Sequence, residues 1–105
     1  MSVIKVTKRN FENEVMQSEK TVLIDFLASW CSPCKMISPI IYEITHEASD
    51  IKICKVNIDE EPELTQNFRV MSIPTLTLIK NGKVVGSSVG LKSKAEIMKM
   101  IGRYM

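Results

Sequence analysis

Two cysteines separated by two residues, Cys31 and Cys34, lie in the run Trp30-Cys31-Ser32-Pro33-Cys34-Lys35. Thiols at that spacing either close and reopen a disulfide or supply half of a zinc site. Their position in the chain bears on which. A near-continuous apolar run, Val22, Leu23, Ile24, Phe26, Leu27 and Ala28, ends just before them. Just after them Ile37, Ile40, Ile41 and Ile44 recur at the i, i+3, i+4, i+7 spacing of an amphipathic helix. The pair therefore falls where a buried strand hands over to a helix. Residues three apart on a helical turn have Cα atoms about 5–6 Å apart, inside the roughly 4.4–6.8 Å that a disulfide spans. Reversible closure needs little backbone movement there.

The start of a helix also presents unpaired N–H groups and the positive end of the dipole, both of which favour a thiolate. Cys31 holds that position and is expected to ionise more easily than a free cysteine. Cys34, one turn inside, is expected to be the more buried and to serve as the resolving thiol. Pro33 suits the first turn, because its missing N–H has no helical partner there. A zinc site needs four ligands as a rule, and the remaining candidates, Cys54 and His46, form no second chelating pair. Two inert core cysteines are the blander alternative. The redox reading accounts for the placement better than either. Cys54 itself is expected to be a buried, inert core residue, since free cysteine packs as a small hydrophobe.

Asp25 is a carboxylate in the middle of the apolar run. Burial disfavours its charged form and raises its pKa, which makes it a proton acceptor for use near neutral pH. The alternative is a strand-edge aspartate turned to solvent.

The elements that must position these groups follow from the apolar periods. Val3–Thr7 reads as a strand, Asn10–Gln17 as a short helix, and Thr21–Ala28 as a central strand covered on both faces. Ser32 to about Ala48 reads as a helix kinked at Pro39, where a backbone hydrogen bond is lost. Ile51–Ile58 returns to strand, and Asp59 is expected to cap a short helix running to about Phe68, with Pro62 in its first turn. Thr75–Lys80 and Lys83–Ser88 flank Asn81-Gly82, the dipeptide that a type I′ hairpin turn demands. Ser93-Lys94-Ala95-Glu96 is a capping box, and the last helix turns Ile97, Met100, Ile101 and Tyr104 inward. The order β-α-β-α-β-α-β-β-α implies an α/β fold with a mixed central sheet between helical layers.

Bulk properties narrow the function classes. A chain of 105 residues suits one domain, residues 1–105. Net charge is +2 with no long run of like charges, so neither nucleic acid nor an acidic membrane surface is an implied partner. No stretch approaches the roughly 18 apolar residues of a membrane span. The N-terminus lacks the apolar core of a signal peptide, which points to a cytoplasmic protein. Three cysteines, an odd and low number, do not resemble the framework of a small secreted domain.

Over essentially its whole length the chain resembles the thioredoxin family. The likeness rests on Asp25-Phe26, Trp30-Cys31-Ser32-Pro33-Cys34-Lys35, Pro39, Val56-Asn57-Ile58-Asp59, Ile73-Pro74-Thr75 and Asn81-Gly82, in order and at family spacing. It implies a thioredoxin-like three-layer α/β/α sandwich and a protein-disulfide reductase. By this resemblance Cys31 attacks a substrate disulfide and Cys34 resolves the mixed disulfide. Asp25 lies beneath Cys34 and deprotonates it, and Lys55 tunes Asp25. Pro74 is a cis-proline facing the cysteines, and Trp30, Pro33, Ile73 and Gly90 complete the substrate-binding surface. No cofactor or metal is implied beyond the Cys31–Cys34 disulfide. The implied partners are disulfide-containing proteins and a flavin-dependent, NADPH-linked thioredoxin reductase, with the chain acting as a monomer. A non-catalytic role as a docking subunit is the competing class. Two departures stand out: Ser32 replaces the usual glycine, and Leu27 an aromatic residue.

Overall fold

The computed structural model describes residues 3–104. Five strands, β1 (Ile4–Lys5), β2 (Thr21–Leu27), β3 (Ile51–Asn57), β4 (Thr75–Lys80) and β5 (Lys83–Val89), form one sheet in the order β1-β3-β2-β4-β5. β1 and β2 run parallel to β3, whereas β4 is antiparallel to both β2 and β5. The apolar run thus becomes the central strand, paired on both edges. Three α-helices, α1 (Ser32–Glu47), α2 (Pro62–Asn67) and α3 (Lys94–Arg103), are found among the described residues. This is the mixed sheet expected.

Strand alternation sends successive side chains to opposite faces. From β2, Leu23 packs with Ile37, Ile41 and Ile44 of α1 and with Ile97 and Ile101 of α3. Val22, Ile24 and Phe26 point the other way and pack with Val15, Cys54 and Leu64. Each fully buried aliphatic side chain contributes about 1.5–3 kcal/mol, so both faces of β2 are anchored independently. Position 25 shares the face of Leu23, beneath α1, and interrupts an otherwise apolar layer.

Some local expectations hold and others need correction. Asn81 and Gly82 adopt φ of 53° and 74°, as the tight hairpin requires. The capping box is complete: Ser93 Oγ accepts from Glu96 N–H, and Glu96 Oε1 accepts from Ser93 N–H, each at 3.1 Å. Ser93→Ala is therefore expected to cost about 1 kcal/mol, seen as a melting-temperature drop of about 4–8 °C. The short helix expected over Asn10–Gln17 is instead a π-helix, Glu12–Met16, with Gln17 N–H bonded to Glu12 C=O at 2.9 Å. Asp59 does not cap α2. That helix begins at Pro62 after Glu61, with no side-chain cap. α1 does continue through Pro39, from Ser32 to Glu47.

Candidate active site

β2 ends at Leu27, and the chain turns through a Cys31 N–H to Ala28 C=O bond of 3.2 Å before α1 starts. Cys31 is the N-cap residue, with extended backbone (φ −92°, ψ 109°). Its sulfur accepts the Cys34 N–H at 3.2 Å, the bond that an oxygen side chain makes at an ordinary N-cap. A thiolate at the same place gains more from that donor and from the helix dipole. Cys31 and Cys34 are joined as a disulfide with Cα atoms 5.3 Å apart.

Cys34 is not the more buried of the two, as had been expected: each is 4% exposed. In the bonded form both sulfurs share one apolar socket, packed by Ala28, Leu27, Ile58 and Ile73. The Ile73–Pro74 peptide is cis. Gly90 N–H donates to Pro74 C=O at 2.8 Å and takes φ 92°, a left-handed conformation that favours glycine. Pro33 is exposed at the helix start. Trp30 is 65% exposed and forms one wall of a groove of about 290 Å³ with Ile58, Val70, Met71, Ser72 and Ile73.

Trp30 is held by a residue whose part in the site was not anticipated. Its Nε1–H donates to Asp59 Oδ2 at 2.8 Å. Asp59 is itself fixed by its N–H bond to Asn57 Oδ1, at 2.9 Å. The parallel register pairs Leu27 with Asn57, so the loops after β2 and β3 emerge side by side. A carboxylate two residues beyond β3 was the available signal.

Asp25 is 3% exposed, which removes the solvent-facing alternative. Its Oδ1 has no hydrogen-bond partner in the protein. Burial pushes its pKa up to about 7, and the Lys55 ammonium pulls against that shift. Lys55 is its register neighbour on β3, with an exposed side chain. The two residues border a cavity of about 400 Å³ beneath α1.

Cys54 lies on the opposite face of the sheet, fully buried with Val22 and Ile24. Burial pushes its thiol up to about 12, with Lys52 opposing and Glu14 reinforcing. That is the inert core residue expected. His46 is exposed on α1, its ring edge-on to Tyr42. No group of three or more His, Cys, Asp or Glu among the described residues could hold a metal ion. No helix among them is long and apolar enough to cross a membrane.

The family model for thioredoxin matches residues 2–103. The chain is 46% identical over 99 residues to the thioredoxin of Mycobacterium tuberculosis (strain ATCC 25618 / H37Rv), covering 93% of this chain and 85% of that one. It is 46% identical over 97 residues to the thioredoxin of Rickettsia bellii (strain RML369-C), covering 91% and 92%. Against the thioredoxin of Bacillus subtilis (strain 168) the identity is 42% over 106 residues, with full coverage of both. Helix-start geometry, the formed disulfide and these likenesses lead to one conclusion: the chain belongs to the thioredoxin family and is a thiol–disulfide oxidoreductase working through Cys31 and Cys34.

Proposed function

We propose that the protein reduces disulfides of other proteins, with Cys31 as nucleophile and Cys34 as resolving thiol. The observation that carries this division of labour is the Cys34 N–H aimed at Cys31 Sγ. It favours a thiolate on Cys31, and no described residue donates an equivalent bond to Cys34 Sγ. The Cys31 thiolate attacks one substrate sulfur, the substrate disulfide breaks, and the second substrate sulfur leaves as a thiolate. Cys34, deprotonated, then attacks Cys31 Sγ; the mixed disulfide breaks and the Cys31–Cys34 bond forms. Thiolate fraction and leaving-group pKa govern both exchanges.

Asp25 serves as the base for Cys34. It lies on the face that α1 covers, and its raised pKa of about 7 suits proton transfer near neutral pH. Lys55 keeps that value from rising further. Trp30, Pro33, Ile73, Pro74 and Gly90 form the surface against which substrate chain lies beside Cys31. Family membership implies disulfide substrates and a thioredoxin reductase as partners. We read that reductase as flavin-dependent and NADPH-linked, and the protein as a cytoplasmic monomer of one domain (residues 1–105) without a bound cofactor. Its electrons are carried on the two sulfurs themselves.

Insulin reduction with dithiothreitol tests the activity: the protein is expected to accelerate precipitation above the uncatalysed rate. An unchanged rate would remove the reductase reading. Equilibration with glutathione then places the couple. A potential near −270 mV fits a reductant, whereas one near −120 mV would make the protein an oxidant. Ser32, in place of glycine between the cysteines, is the residue to revert if the value departs from the reductant end.

A further inference from the structure

We propose that Arg69 selects among disulfide substrates by pairing its guanidinium with an Asp or Glu carboxylate close to the disulfide that Cys31 attacks. The inference rests on the reading of the protein as a protein-disulfide reductase. It goes beyond that reading by naming a substrate class and the residue that recognises it.

Arg69 follows α2 in a backbone conformation suited to glycine. Its φ is 55°, in the left-handed region where a Cβ is crowded. Val70 N–H donates to Thr65 C=O at 3.2 Å, and Arg69 N–H to Gln66 C=O at 2.9 Å. These are the paired bonds of a Schellman helix end, with Arg69 at the position that glycine usually takes. A side-chain bond within the protein would offset the cost of an arginine there. Among the described residues Arg69 takes part in no ion pair and no side-chain hydrogen bond. A strained residue with no internal partner points to a use outside the fold.

The carboxylates nearest in the chain are absent or engaged. No Asp or Glu occurs from Leu64 to Ala95. Just before that stretch, Glu63 pairs with Lys8 at 2.8 Å and Glu60 with Lys5 at 3.0 Å. Glu61 Oε1 accepts the Lys8 N–H, and Asp59 holds Trp30. The exposed Arg69 side chain is left free.

Its place in the chain sets this cation beside the substrate surface. Val70, Met71, Ser72 and Ile73 follow it directly and form one side of the groove of about 290 Å³ that Trp30 and Ile58 complete. Met71 is 93% exposed, so the groove offers apolar contact and no charge of its own. A guanidinium adds a planar fork of donors that matches a carboxylate. A cation past a helix C-terminus also gains from the dipole, but lysine would gain as much, and that gain calls for no substrate.

Three peptides of one sequence, each closed by a disulfide with Glu, Gln or Lys flanking both cysteines, test the selection. Second-order rate constants with the reduced protein are normalised to each peptide's own rate with dithiothreitol. The parent is expected to reduce the Glu peptide roughly 5-fold faster than the Gln peptide, the effect of one charge-assisted pair at a partly exposed rim. At about 0.5 M salt the preference is expected to shrink to within about 2-fold. Arg69→Gly is expected to bring the ratio to within about 1.5-fold, whereas Arg69→Lys, with charge but no fork, keeps about 2–3-fold. Arg69→Gly is also expected to melt roughly 4 °C higher, since glycine is at ease in the left-handed region. A parental ratio near one, or a preference that persists in Arg69→Gly, would overturn the proposal and leave the reductase reading standing. A lower melting temperature in Arg69→Gly with equal slowing on all three peptides would mark a role in the turn alone and would also overturn it. Failure of the parent to reduce any of the three would remove the reductase reading, and the proposal with it.

Discussion

Cys31→Ser is expected to abolish disulfide reduction, leaving insulin turnover at the dithiothreitol background. A serine hydroxyl at the N-cap still accepts the Cys34 N–H, so the helix start is retained. What is lost is the sulfur that attacks. Cys34 does not replace it, because it lacks the N–H donor that favours a thiolate at position 31. Cys54 does not replace it either: it sits on the far face of the sheet with its thiol pushed up to about 12. Loss of turnover with unchanged melting temperature would assign the effect to chemistry. Full activity in Cys31→Ser would mean that another thiol attacks.

The second large effect concerns stability. Asp25 has a folded pKa of about 7 against an ordinary 3.8. Between those values the folded state holds a proton that the unfolded chain has released. Stability from this group is therefore fully present below about pH 4 and is lost as pH rises through about 7. Asp25→Asn removes the titration and keeps the shape. Relative to the parent, the variant is expected to gain roughly 3 kcal/mol of unfolding free energy between pH 4 and pH 8.5, from about three pKa units at 1.36 kcal/mol each with allowance for the bordering cavity. Urea unfolding at several pH values measures it. A difference that stays flat across that range would mean that Asp25 is ionised throughout. The same substitution is expected to slow the resolving step, so stability and turnover are set against each other at this residue.

Much of the frame was legible in the residues because local rules and the fold agreed. Asn81-Gly82 and Ser93-Lys94-Ala95-Glu96 each specify a backbone geometry by their own chemistry, and each has it. The long apolar run suggests a covered central strand, and β2 is paired on both edges. Cys31 and Cys34 fell at a strand-to-helix junction whose geometry follows from sequence spacing alone. Other features depend on what tertiary packing brings alongside. Phe11 and Val15 are four apart, a spacing that α- and π-helices both accommodate over so short a piece. Asp59 has the chemistry of a cap, yet the parallel pairing of β2 and β3 sets it beside Trp30, and the indole N–H takes it. Cys34 is no more buried than Cys31, against the expectation from its place one turn inside the helix. The missing partner of Asp25 Oδ1 and the cavity next to it arise from how α1 lies over β2 and β3. No single stretch of chain encodes that fit.

The division of labour between the two sulfurs is open to one direct measurement. Reduced Cys34→Ser protein, mixed with a protein disulfide and quenched with alkylating agent, should accumulate a mixed disulfide, resolved by non-reducing electrophoresis and located by peptide mass mapping. The predicted result is a single adduct on Cys31, with Cys54 unmodified and no adduct from Cys31→Ser under the same conditions. An adduct trapped by Cys31→Ser through Cys34, with none on Cys31 in Cys34→Ser, would reverse the assignment.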